Sequence, residues 1–109
     1  MFVGTNIIGI CFDVIKLEYR DFVKEKVNRY HKIVELSSNQ LLSFCGNAIE
    51  AQNSNNELYL IMSSTAYNAL KQEQITTFLE NYKDIIHSDI PTIEKYGGGS
   101  ARCMLTELF

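Results

Sequence analysis

With 109 residues the chain is one domain at most and can bury a modest core. Apolar residues make up 46% and charged residues 21%, the balance of a soluble globular protein and not of a disordered one. A net charge of −3, with Lys and Arg scattered along the chain, argues against a nucleic-acid-binding surface, and no apolar run approaches the roughly 18 residues of a membrane span.

The opening stretch, MFVGTNIIGICFDVI, has neither the basic n-region nor the small-residue cleavage site of a signal peptide, so a cytoplasmic location is expected. From Thr5 to Lys16, β-branched and apolar residues with polar interruptions predict two short strands meeting near Phe12 and Asp13, or one long strand. The period then changes in EYRDFVKEKVNRY. Tyr19, Phe22, Val23, Val27 and Tyr30 fall on one helical face with charges opposite. KIVEL predicts a strand, and Ser37 or Ser38 can cap a short helix through NQLLSF, which Gly46 ends. The turn signal NSNN, Asn53 to Asn56, joins NAIEAQ to ELYLIM as a β-hairpin. Ser64 or Thr65 opens a helical region to Tyr82, in which Ile75, Phe78, Leu79 and Tyr82 form a stripe. DIIHSDI is a strand halted by Pro91, the only proline, and CMLTELF after the glycines is the last strand. The order is strand–strand–helix–strand, a short helix, then strand–strand–helix–strand. It predicts an α/β fold of two ββαβ units of about 50 residues each, residues 1–46 and 47–109, within a single domain.

Three cysteines, Cys11, Cys45 and Cys103, show no CxxC spacing and support neither a disulfide framework nor a zinc site. Cys11 and Cys45 lie in apolar runs and read as small buried hydrophobes. Cys103 alone follows glycines and an arginine, in EKYGGGSARCMLTELF, a setting for an electropositive, accessible thiol. The loop is not a phosphate cradle, which needs a lysine and then Ser or Thr opening a helix; here it runs into an apolar stretch. His31, at the end of the charged helix, reads as a solvated cation beside a helix C-terminus. His87 precedes Cys103 by 16 positions and reads as structural, with an approach to the thiol as its functional alternative. Asp89, Glu94 and Glu107 are the acids nearest in sequence, without a specific spacing.

TNIIGICFDVI, LLSFCGNAIEAQ and above all IEKYGGGSARCMLTELF resemble the C-terminal part of the amidinotransferase-type pentein superfamily, closest to the citrulline-utilization hydrolases related to arginine deiminases. The resemblance covers essentially the whole chain. It implies a five-bladed α/β-propeller of ββαβ units around a polar pit, of which this chain supplies two units and an incomplete ring. Known members are several-fold longer, so the chain is expected to be a C-terminal portion or a much reduced relative, with Met1 to Gly4 as a truncation or reading-frame scar.

By the same resemblance, Cys103 corresponds to the nucleophile that attacks the planar carbon of a guanidino or ureido group. The physical needs are a thiolate at neutral pH, a proton donor for the departing amine, and carboxylates to hold a cationic substrate. Glycines let backbone N–H groups approach closely, and Arg102 adds positive charge. Arg102, Gly98, Gly99 and Ser100 are therefore expected to shape the substrate side of the thiol. Asn47 matches an asparagine near the family's site and reads equally as a turn or helix-end residue after Gly46. The family's histidine, its general acid and base, falls at Gly4, and glycine cannot shuttle protons. The substrate-binding carboxylates belong to units absent from this chain. The expected function is the C-terminal portion of a hydrolase acting on citrulline- or arginine-type substrates, without metal or organic cofactor. The alternative is an inactive pentein-like fragment that acts by association. Exposed strand edges and apolar faces would drive self-association or pairing with a missing N-terminal partner.

Overall fold

Two three-stranded sheets organise the chain in a computed structural model that describes residues 1–105. The first sheet contains β1 (Phe2–Val3), β2 (Ile7–Ile10) and β3 (Lys32–Glu35); the second contains β4 (Ile49–Gln52), β5 (Leu58–Ser63) and β6 (Asp84–Ser88). In each, the first pair is antiparallel and the third strand joins parallel to the second. A parallel partner needs a crossover, which helices supply. Between β2 and β3 it is α1 (Leu17–Asn28); between β5 and β6 it is α3 (Ser64–Ala69) followed by α4 (Gln72–Asn81). A short α2 (Ser38–Leu42) links the sheets, and α5 (Pro91–Tyr96) follows β6. The fold is mixed α/β, and among the described residues no helix is long and apolar enough to cross a membrane.

The first strand was not expected. Its two residues are too few for a periodic pattern, yet they bury Phe2 against the Phe78 ring at 5.7 Å between centroids. The apolar run after it gives one strand, and the chain then turns through a 3-10 segment at Phe12–Val14 instead of starting a second one. The predicted helix from Ser64 or Thr65 to Tyr82 is capped one residue earlier, by Ser63, and is broken in two. Leu70 leaves the helix in an extended conformation with its side chain in the core. The Gln74 side chain then accepts the Lys71 N–H at 2.8 Å and starts α4 afresh. The helix α5 was also unforeseen; its proline sits in the first turn, where the missing N–H costs nothing. The last predicted strand is corrected in its described part, since Ala101–Met104 is a 3-10 turn. The remainder of that expectation, residues 106–109, lies outside the described residues.

The hairpin is formed as NSNN requires. Asn53 Oδ1 accepts the N–H groups of Asn55 and Glu57, and Asn56 takes the left-handed conformation at φ 62°. α2 ends at Leu42, before the anticipated Gly46, and Phe44 then takes the left-handed conformation at φ 66°. One core spans both sheets: Phe2, Ile7, Val34 and Leu36 from the first half pack with Leu60, Met62, Phe78 and Ile85 from the second. Polar clasps tie the halves as well. Gln40, in the capping box of α2 with Ser37, and Gln74, at the start of α4, exchange side-chain hydrogen bonds at 2.6 and 3.2 Å. Their remaining N–H groups reach Ala69 and Glu35 carbonyls.

The predicted face of α1 is only partly covered. Val23 and Val27 are half-buried, but Phe22 is 61% exposed, with Tyr19 and Tyr30 also in solvent. No residue of this helix is fully buried.

Candidate active site

Cys103 is carried by the 3-10 turn, which the glycine loop delivers from α5. At Gly98 the backbone has φ +68°, a conformation glycine adopts without penalty. At Gly99 the reason is space, because a Cβ there would lie 2.7 Å from Cys103 Sγ. Ser100 follows, fully buried, and its carbonyl accepts the Cys103 N–H at 3.0 Å.

The thiol itself is exposed and is met by the loop before β4. Asn47 Nδ2 donates to Cys103 Sγ at 3.1 Å, while Asn47 Oδ1 accepts the Arg102 N–H at 2.9 Å. The single amide thus grips two consecutive residues of the turn. That geometry lowers the thiol's pKa: the Asn47 hydrogen bond is the largest cause, the Ser100 backbone comes next, and the Arg102 charge adds a smaller part. Cys45 is the contrast. It is buried, donates its S–H to the Ala66 carbonyl at 3.3 Å, and burial pushes its thiol up to about 11. Cys11 is buried too. The three cysteines therefore divide as their surroundings predict, two in the core and one at the surface.

The other anticipated residues are distributed differently. Arg102 contributes its backbone N–H to Asn47, and its residue is exposed. Gly98 is exposed, Gly99 is packed under the thiol, and Ser100 turns inward to donate to Glu94 Oε2 at 2.7 Å. His87 is engaged elsewhere: Nδ1 lies 2.8 Å from Ser64 Oγ, and the ring stacks on Tyr67 with centroids 4.1 Å apart. It lines an apolar cavity of about 150 Å³ with Ile61, Ile86, Ala101, Met104 and Leu105, a lining that includes neither Cys103 nor Asn47. His31 sits just beyond α1, with its N–H on the Val27 carbonyl. Asp89 is exposed, and Glu107 lies outside the described residues.

Gly4 occupies filled space. A Cβ there would be 2.3 Å from Tyr82 Oη and 2.5 Å from Glu50 Oε2. Glu50 accepts hydrogen bonds from the Thr5 N–H, the Thr5 hydroxyl and the Tyr82 hydroxyl, and Tyr82 is buried. Burial first, then Glu50, push the Tyr82 phenol well up. The place next to Gly4 thus belongs to a closed hydrogen-bonded knot.

Sequence reasoning missed one arrangement, at the start of α3. Ser63, Ser64 and Thr65 are three successive hydroxyl residues with three separate partners. Ser63 caps α3 through the Ala66 N–H, Ser64 holds His87, and Thr65 donates to Glu94 Oε1 at 2.9 Å. Only the hydroxyl-rich run itself hinted at this, since the partners lie three to 29 residues away.

The family model for eukaryotic N,N dimethylarginine dimethylhydrolase matches residues 1–109. The chain belongs to this family. Dimethylarginine dimethylhydrolases fall within the pentein superfamily, so the expected superfamily stands, while the match is to this branch and not specifically to the citrulline-utilization hydrolases. Comparison with curated proteins and with solved structures returned no match. Membership in the dimethylarginine dimethylhydrolases points to a guanidino-group hydrolase as the general kind of activity.

Proposed function

We propose that this chain is the nucleophile-bearing portion of a hydrolase that cleaves a non-peptide C–N bond, with Cys103 as the nucleophile. N-methylated arginine, after the family's name, is the first substrate to test, with arginine- and citrulline-type compounds beside it. The observation that carries this reading is the Asn47 amide placed 3.1 Å from an exposed thiol whose pKa it lowers. A thiolate so held attacks the guanidinium carbon and forms a C–S bond. The C–N bond breaks and the amine leaves with a proton; water then adds at the carbon, the C–S bond breaks, and the thiolate returns. Gly4 supplies no imidazole, so the amine's proton comes from another donor. We read residues 1–46 and 47–109 as two ββαβ units of a five-bladed ring, and the repeated strand order of the two sheets supports that reading.

The test is turnover. Wild type and Cys103→Ala are incubated with N,N-dimethylarginine, arginine, citrulline and agmatine, and amine release is followed. Activity that disappears with the substitution supports the proposal; activity equal in both variants overturns the role of Cys103. A second reading, association without catalysis, is favoured by the open face of α1, where Tyr19, Phe22 and Tyr30 lie in solvent. Absence of turnover in both variants, with oligomers in analytical ultracentrifugation, selects it. A monomer at micromolar concentration removes it.

A further inference from the structure

We propose that Glu94 is a positioning residue for the Cys103 nucleophile, clamping the glycine loop to the first turn of α3 through Ser100 on one side and Thr65 on the other. The inference rests on the reading of Cys103 given above. Both carboxylate oxygens of Glu94 are spent on hydroxyls: Oε2 accepts from Ser100 Oγ at 2.7 Å and Oε1 from Thr65 Oγ1 at 2.9 Å. Ser100 is 0% exposed and its carbonyl receives the Cys103 N–H, so whatever fixes Ser100 fixes the start of the 3-10 turn. Without that tie, the stretch from Gly97 to Gly99 is three glycines in succession, the most permissive backbone in the chain. Thr65 is in turn rigid because α3 is capped by Ser63 and packs Ala66 in the core.

Among the described residues no cation hydrogen-bonds to Glu94, and both of its partners are neutral hydroxyls. The benefit of Glu94 is therefore geometric. Glutamine can replace that geometry, accepting from one hydroxyl and donating to the other, because Ser and Thr hydroxyls do both. Alanine cannot. A general base for the water step behaves in the opposite way, since glutamine would remove the base as completely as alanine does.

The experiment is site-resolved iodoacetamide alkylation of Cys103 against pH, read by peptide mass spectrometry, in wild type, Glu94→Ala, Glu94→Gln and Thr65→Val. Glu94→Ala is expected to slow alkylation at pH 7 by roughly fivefold, the size of one net hydrogen bond, and to move the midpoint of the profile upward. Thr65→Val is expected to change in the same direction by less. Glu94→Gln is expected to match wild type. Thr65 is exposed, so its variant tests the clamp even where Glu94→Ala proves unstable. A wild-type profile in Thr65→Val, or in a folded Glu94→Ala, overturns the proposal, as does a Glu94→Gln profile equal to that of alanine. Alkylation needs no turnover, so failure of the clamp is distinguishable from failure of the hydrolase reading. Where turnover is present, retained activity in Glu94→Gln separates positioning from base catalysis.

Discussion

Substituting alanine for Gly99 tests how tightly the loop governs the thiol. The added Cβ would lie 2.7 Å from Cys103 Sγ and 3.0 Å from Cys103 Cβ, where ordinary contact begins at 3.4 Å. The sulfur must then retreat by about 0.7 Å. Gly99 has no positive φ, so alanine meets no backbone penalty and the effect is steric alone. A displacement of that size takes the sulfur out of the position in which it meets Asn47 at 3.1 Å and so disturbs that hydrogen bond. Because Cys103 is exposed and free to swing, the loss of stability should stay near the low end for overpacking, about 1 kcal/mol, or roughly 4–8 °C in Tm. The thiol is affected more than the fold. In alkylation against pH, the Cys103 midpoint should rise toward that of an ordinary thiol, while Cys11 and Cys45 stay protected in the folded protein. A folded Gly99→Ala protein with a wild-type alkylation profile would refute the link between loop packing and thiol poise.

Asn47→Ala should raise the Cys103 midpoint without any steric push, and Asn47→Asp should raise it further, since a carboxylate then faces the thiolate; the same alkylation profile reads both. Gly4→His should not create a proton shuttle. Its side chain enters the space of Tyr82 and Glu50, so calorimetry should show destabilisation of at least 1–3 kcal/mol, and amine release should not increase. Phe78→Ala removes a fully buried ring that contacts Phe2 and should cost about 3–5 kcal/mol in urea unfolding, a large part of a small domain's stability. Cys45 sets a pH dependence. Its folded pKa is raised from 9.0 to about 11, so the unfolded chain loses this proton first, and stability present below pH 9 declines as pH rises toward 11. Melting temperatures of wild type and Cys45→Val should diverge in that window and run parallel below it.

Much of the architecture was readable because its signals are local. The asparagine turn, the Ser37 cap and the change of period at α1 each depend on residues within a few positions. What escaped depended on distance. Phe2 forms a strand because Ile8 and Gly9 pair with it and its neighbour and Phe78 covers it, none of which two residues can announce. The break at Leu70 reflects a tertiary pull on one side chain against good helical propensity on both sides. At the site, the exposed thiol was legible from glycine and arginine before it. Its partner Asn47, 56 residues away, is pointed to by the family resemblance alone, and the Glu94 tie to Thr65, 29 residues apart, by no local signal. The solvent-facing side of α1 was misread in part, because periodicity shows which residues share a face and not whether anything covers it.

The reciprocal amides of Gln40 and Gln74 have a consequence for how the molecule opens. Each glutamine caps its own helix start, through Ser37 and Lys71 N–H groups, while bonding to the other. Fraying α2 therefore strips a partner from α4, and the reverse. The two helix starts form one opening unit that crosses from the first sheet's half to the second's. Amide hydrogens in the first turns of both helices should exchange with deuterium at a common free energy, and Gln74→Ala should hasten exchange in α2, a helix whose own sequence it leaves unchanged.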